Sequence, residues 1–228
     1  MSRAKTRNPI LDKTGAVPPK LRGWLHVFCF FLAIPTGITV ILLADSTRAR
    51  VGAAVYAVGL VALFGVSGFY HRGRWSPTWR SRMRRLDHST IFVMVAGSYT
   101  PVCLVVLEGW VSAVMLISAW VGAAIGAVLA WTNRRWASVA RGALYIVLGW
   151  GVVIALPQLI RGMTVAELVL IVAGGVLFTL GAITLATKWP DPFPQVFGNH
   201  EVWHTFVVVA VVCHFIAIAS VVSTTTAA

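Results

Sequence analysis

The sequence predicts an all-α fold, a polytopic membrane bundle of seven transmembrane helices, and three observations carry that prediction. Hydrophobic residues make up 58% of the 228-residue chain and charged residues only 11%, whereas charged residues form about a quarter of an ordinary soluble domain. The mean hydropathy is +0.81. The apolar residues also fall into seven separate runs, each near the roughly 20 residues that a helix needs to cross a bilayer core. The net charge of +12 points to anionic lipid headgroups and not to nucleic acid, because the basic residues sit in the connections and form no nucleic-acid motif.

Residues 1–22 form a basic tail with Pro9, Pro18 and Pro19, and residues 23–228 a single seven-helix domain. No cleavable signal peptide is expected, since no small-residue cleavage pattern follows the first apolar run. The first span is predicted over 24–44, with Pro35 as a kink. The second covers 51–70 and ends in Ser67-Gly68-Phe69-Tyr70-His71. A basic loop at 72–86 follows, with Trp75 and Trp79 as interfacial aromatics. The third span starts at Asp87 and runs to 107. Glu108-Gly109 turns the chain into a fourth span at 110–131. The fifth is expected over 143–159, with Arg141 snorkelling at its start, and the sixth over 165–187. The linker 188–199 contains Pro190, Pro192 and Pro194 and should be extended or turned. The seventh span begins with Phe197-Gly198-Asn199-His200-Glu201-Val202-Trp203-His204 and is almost wholly apolar from 205 to 222. Cys29, Cys103 and Cys213 each lie alone in an apolar run and read as core residues.

Basic residues orient the bundle. Seven crossings put sixteen of them on the side of the N-terminal tail and three, Arg48, Arg50 and Arg161, on the other. The positive-inside rule therefore predicts a cytoplasmic N-terminus and an external C-terminus. His71, Asp87, His200 and His204 then share one depth at the cytoplasmic face, with Ser67 one turn deeper than His71. His200 and His204, four apart, stack on one helix face and can converge on a single metal ion. His214 lies about 15 Å deeper, too far to share it. His26 and His88 read as interfacial.

Four stretches together resemble the hemolysin III family, the bacterial branch of the progestin and adipoQ receptor group. They are Ser67-Gly68-Phe69-Tyr70-His71, Leu86-Asp87-His88-Ser89, Gly97-Ser98-Tyr99-Thr100-Pro101, and the start of the seventh span with Cys213-His214-Phe215. The resemblance implies zinc (Zn2+) held by His71, His200 and His204, with Asp87 and Ser67 near the water that the zinc holds. It further implies a multi-pass protein of the cell membrane and, by analogy with eukaryotic relatives, hydrolysis of lipid amides. In that chemistry Asp87 would be the general base and Ser67 would bind developing oxyanion charge. Other readings stay open: Asp87 as the N-cap of the third span, Ser67 bonded to a carbonyl one turn back, and the histidines as interfacial groups. Imidazole ligands also suit iron, copper or nickel. The alternative function is non-enzymatic: a channel, a pore former in keeping with the haemolytic name, or a membrane-homeostasis protein with structural zinc. In either case membrane lipids are the expected partners.

His200-Glu201-Val202-Trp203-His204 also matches H-E-x-x-H, the zinc-protease pattern. No acidic residue follows Glu201, and the position that would extend the motif is Ala210. A protease is therefore not expected, and Glu201 is incidental to the metal.

Overall fold

The computed structural model describes residues 18–224. Most of the basic tail, with Arg3, Lys5, Arg7 and Lys13, lies outside the described residues, as do residues 225–228. Among those described, seven helical segments are long and apolar enough to cross a membrane and no extended strand forms. The chain is an all-α, seven-span bundle.

In chain order the helices are α1 (Trp24–Leu42), α2 (Thr47–Arg72), α3 (Pro77–Val105), α4 (Gly109–Trp131), α5 (Arg135–Trp150), α6 (Leu156–Gly162), α7 (Val165–Thr187) and α8 (Asn199–Ser223). A short 3₁₀ turn, Gly151–Ala155, joins α5 to α6, so that the two make the fifth span as one continuous segment. Pro157, in the first turn of α6, is the residue that separates them.

Two predicted starts require correction. The third helix does not begin at Asp87. It begins at Pro77, behind a Ser76 cap whose hydroxyl accepts the Trp79 N–H at 3.4 Å. Serine before proline is a strong helix start, and the supposed basic loop is therefore mostly the first three turns of α3. The N-cap reading of Asp87 falls with it. The fifth span likewise starts at Arg135, eight residues before the predicted position, which puts Arg141 inside the helix. Its guanidinium donates to the Leu129 carbonyl at 3.0 Å.

The packing is centred on α2 and α8. α2 lies between α1 and α3, and α8 packs along α7 while also touching α1, α2 and α3. One face of α1, formed by His26, Cys29, Ala33, Gly37 and Val40, is buried at the three-and-four spacing of a helical stripe. Backbones come close where side chains are absent. A Cβ on Gly52 would stand 2.7 Å from the Pro101 Cα, and one on Gly68 would stand 3.2 Å from the Val27 nitrogen. Small residues at helix crossings gain van der Waals contact where lipid offers no hydrophobic drive. The proline-rich linker is turned, as predicted, with Lys188 in the left-handed region at φ 58° and a single bridge between Phe193 and Phe197.

Candidate metal centre

Two helix ends bring three histidines together at one end of the bundle. His71 lies in the last turn of α2, and His200 and His204 lie in the first two turns of α8. Their ring centroids are 4.8 Å (His71 to His200), 5.1 Å (His71 to His204) and 4.5 Å (His200 to His204) apart. Each offers one nitrogen such that all three lie within 4.8 Å of one another. The His71 and His200 Nε2 atoms are 3.2 Å apart. Zinc–imidazole bonds of 2.0–2.1 Å at tetrahedral angles separate ligand nitrogens by about 3.3 Å, so the spacing fits an ion. The same 3.2 Å suits one N–H···N hydrogen bond, but a third imidazole nitrogen within 4.8 Å of both favours the ion. Three histidines could hold a metal here.

The surroundings fix these rings from outside. Gly23, just before α1, has φ +79°, and a Cβ there would fall 2.4 Å from the His71 Cβ. Only glycine combines that backbone with that approach. The segment before α1 is strapped to the linker before α8 by Lys20 N–H to Gln195 O and Leu21 N–H to Val196 O, both 3.0 Å. Arg22 then forms an ion pair with Glu201, whose other carboxylate oxygen accepts the Gly198 N–H at 2.8 Å. Asp191 accepts the Asn199 N–H, also at 2.8 Å. Two carboxylates thus satisfy amide donors at the start of α8, the helix end where negative charge is favourable. Both Glu201 oxygens are engaged, and the glutamate of the H-E-x-x-H match is a structural anchor.

His26 is the residue that the sequence misplaces. It is buried, not interfacial, and its ring stacks on His204 with centroids 3.8 Å apart and planes 8° from parallel. The Phe64 ring stands edge-on to it at 5.1 Å, and among the described residues neither His26 nitrogen has a hydrogen-bond partner. His26 thus wedges His204 from the α1 side. Nothing in the local sequence marks it, since a single histidine early in an apolar span has no periodic partner.

Ser67 and Asp87 come together across α2 and α3. Ser67 is buried and lies close to the Asp87 carboxylate. Ser67 lies one turn before His71 on α2. Asp87 stands outside the set of converging ligand atoms. Tyr70, whose ring is 4.5 Å from that of His71, is also near Asp87. His214 bonds the Ile171 carbonyl at 3.2 Å and lies against Gly174 of α7, well away from the cluster, as its depth predicts.

The comparisons with known proteins agree with this architecture. The family described as Haemolysin-III related matches residues 15–215, nearly the whole chain. The chain belongs to the haemolysin III family. It is 32% identical over 186 residues to Hemolysin-3 of Bacillus cereus, covering 80% of this chain and 81% of that protein. The Hemolysin-3 homolog of Bacillus subtilis is 28% identical over 185 residues, 80% of this chain and 84% of its own length. The human monocyte to macrophage differentiation factor is 25% identical over 202 residues, 86% of this chain and 80% of that protein. This haemolysin III chain is accordingly a multi-pass protein of the cell membrane.

Proposed function

We propose that His71, His200 and His204 bind a zinc ion and that the protein hydrolyses an amide bond in a membrane lipid. The observation that carries this reading is the convergence of three imidazoles from two helices, with Ser67 one turn before His71 on α2 and Asp87 of α3 close to Ser67. A zinc ion in such a set supplies Lewis acidity for a carbonyl and makes water ionise near neutral pH. The protein's own residues would do the rest. Asp87 would accept the proton lost by the attacking water and return it to the leaving amine. Ser67, donating to Asp87, would hold that carboxylate in position; binding oxyanion charge would require its hydroxyl to turn away. His26 would keep the His204 ring in place without touching substrate.

The test is turnover of ceramide-like lipids by detergent-purified protein. Metal-dependent release of fatty acid, lost in His204→Ala and in Asp87→Asn while Asp87→Asn keeps its metal, is the expected result. No turnover above the His204→Ala background across a panel of lipid amides would reject the hydrolase reading and leave a structural metal in a non-enzymatic membrane protein.

A further inference from the structure

A second polar site lies at the basic end of the bundle, on the other side of Trp203 from the histidines. It is an open basin of about 580 Å³ between the start of α3, the α4–α5 connection and the end of α7. Ligand pockets commonly measure about 300–1,000 Å³. Five arginines line it: Arg84, Arg85, Arg134, Arg135 and Arg141. Among the described residues no aspartate or glutamate does. The salt bridge found among the described residues, Arg22 with Glu201, lies at the histidine centre. A guanidinium cannot shed its charge, and five around one hollow repel one another unless water or an anion fills it. Arg85 is held in place from two sides. Its Nη2 donates to the Asn133 side chain at 2.9 Å and its guanidinium lies 5.5 Å from the Trp131 ring centroid. Its Nε is nevertheless buried without a hydrogen-bond partner among the described residues.

The floor of the basin is apolar. Ile91, Tyr145 and Trp203 form it and also line an adjoining crevice that runs along α3, α5 and α7 past Met94 and Phe178. A charged mouth above an apolar crevice has the polarity of an anionic lipid. We propose that this basin binds the phosphate of an anionic phospholipid headgroup among Arg84, Arg85 and Arg141, with the upper methylenes of an acyl chain against the crevice below. Arginine suits the role because its planar fork of donors matches phosphate oxygens in pairs. Basic pockets between helices at a membrane face recognise such headgroups. The proposal needs neither a metal nor turnover, so it stands apart from the hydrolase reading.

Native mass spectrometry of the detergent-purified full chain tests it, with phosphatidylglycerol and phosphatidylcholine of identical acyl chains as probes. Inorganic phosphate and glycerol phosphate serve as soluble competitors. Phosphatidylglycerol should be retained in preference to phosphatidylcholine. Arg85→Gln with Arg141→Gln should cut that preference by roughly fivefold per arginine removed. Those two side chains also bond within the protein. Arg134→Gln with Arg135→Gln, at two exposed rim positions, therefore provides a second variant and should move the preference in the same direction. Arg74→Gln with Arg82→Gln, equal in charge but outside the basin, should leave it unchanged. Equal retention of both lipids by folded protein, or an equal loss in the Arg74/Arg82 variant, would overturn the proposal. Displacement of phosphatidylglycerol by an equal concentration of either soluble phosphate would overturn the lipid assignment and mark a soluble-anion site.

Discussion

The histidine centre and the arginine basin share one end of the bundle, yet they handle nitrogen-rich side chains in opposite ways. At the centre, three imidazoles converge until two ring nitrogens are 3.2 Å apart, a fourth stacks on one of them, and the surrounding backbone closes in through Gly23 and Gly68. At the basin, five arginines stand around an open hollow, and a Cβ on the neighbouring Gly142 would meet nothing within 4 Å. The difference follows from ionisation. A neutral imidazole can be packed against another and turned toward a cation. A guanidinium stays charged and must keep water or an anion beside it. Packing follows the same division: 56% of the core window of α2 is buried, against 17% for Arg135–Gly162 and for Val165–Thr187. The tightly packed half suits a fixed metal geometry. The loosely packed half, with its apolar faces turned outward, suits exchange with lipid.

That contrast can be broken most sharply at Asp87. Asp87→Asn keeps the shape beside Ser67 but removes the base, and lipid-amide turnover should fall by about 100- to 10,000-fold with metal content unchanged. Parallel loss of metal would instead make Asp87 part of the metal-holding structure. Next is Gly23→Val, which forces a β-branched residue into positive φ and its Cβ into His71. It should cost about 3 kcal/mol, visible as a lower Tm in detergent, and should loosen metal retention. A Tm equal to wild type would mean that the close approach to His71 is not a constraint.

Glu201→Gln separates the anchor reading from a protease reading. It removes the ion pair with Arg22 and weakens the hold on the Gly198 N–H, for a loss of about 1–3 kcal/mol. Metal binding and lipid turnover should persist, and proteolysis should cut more readily near Arg22. Abolished turnover in a folded, metal-loaded variant would make Glu201 catalytic. The smallest effect is expected at Arg134→Gln on the basin rim. Its stability should stay within about 0.5 kcal/mol of wild type, because the arginines there are solvated and not packed.

The seven spans were legible because hydrophobic length is a local property, and the linker prolines and Glu108-Gly109 marked their own turns. The starts of α3 and α5 were not, because Arg80, Arg82, Arg84 and Arg85, like Arg134 and Arg135, break the apolar pattern without breaking the helix. Only Ser76-Pro77 betrayed the true start of α3. At the site, the i, i+4 pair of His200 and His204 and the shared depth of His71 brought out the three histidines. The Arg22–Glu201 pair spans 179 residues, and the stacking of His26 on His204 joins the first span to the last. No local pattern encodes either. The arginine basin was read only as headgroup-facing charge, since its cavity exists only once α3, α5 and α7 pack.

The most direct test of the metal centre is elemental mass spectrometry on detergent-purified protein, with wild type beside His71→Ala and His204→Ala. The predicted result is about one zinc per wild-type chain, with both variants folded and nearly metal-free. Well-folded wild type without bound metal, or variants that retain as much as wild type, would contradict the proposal that these three imidazoles form a metal site.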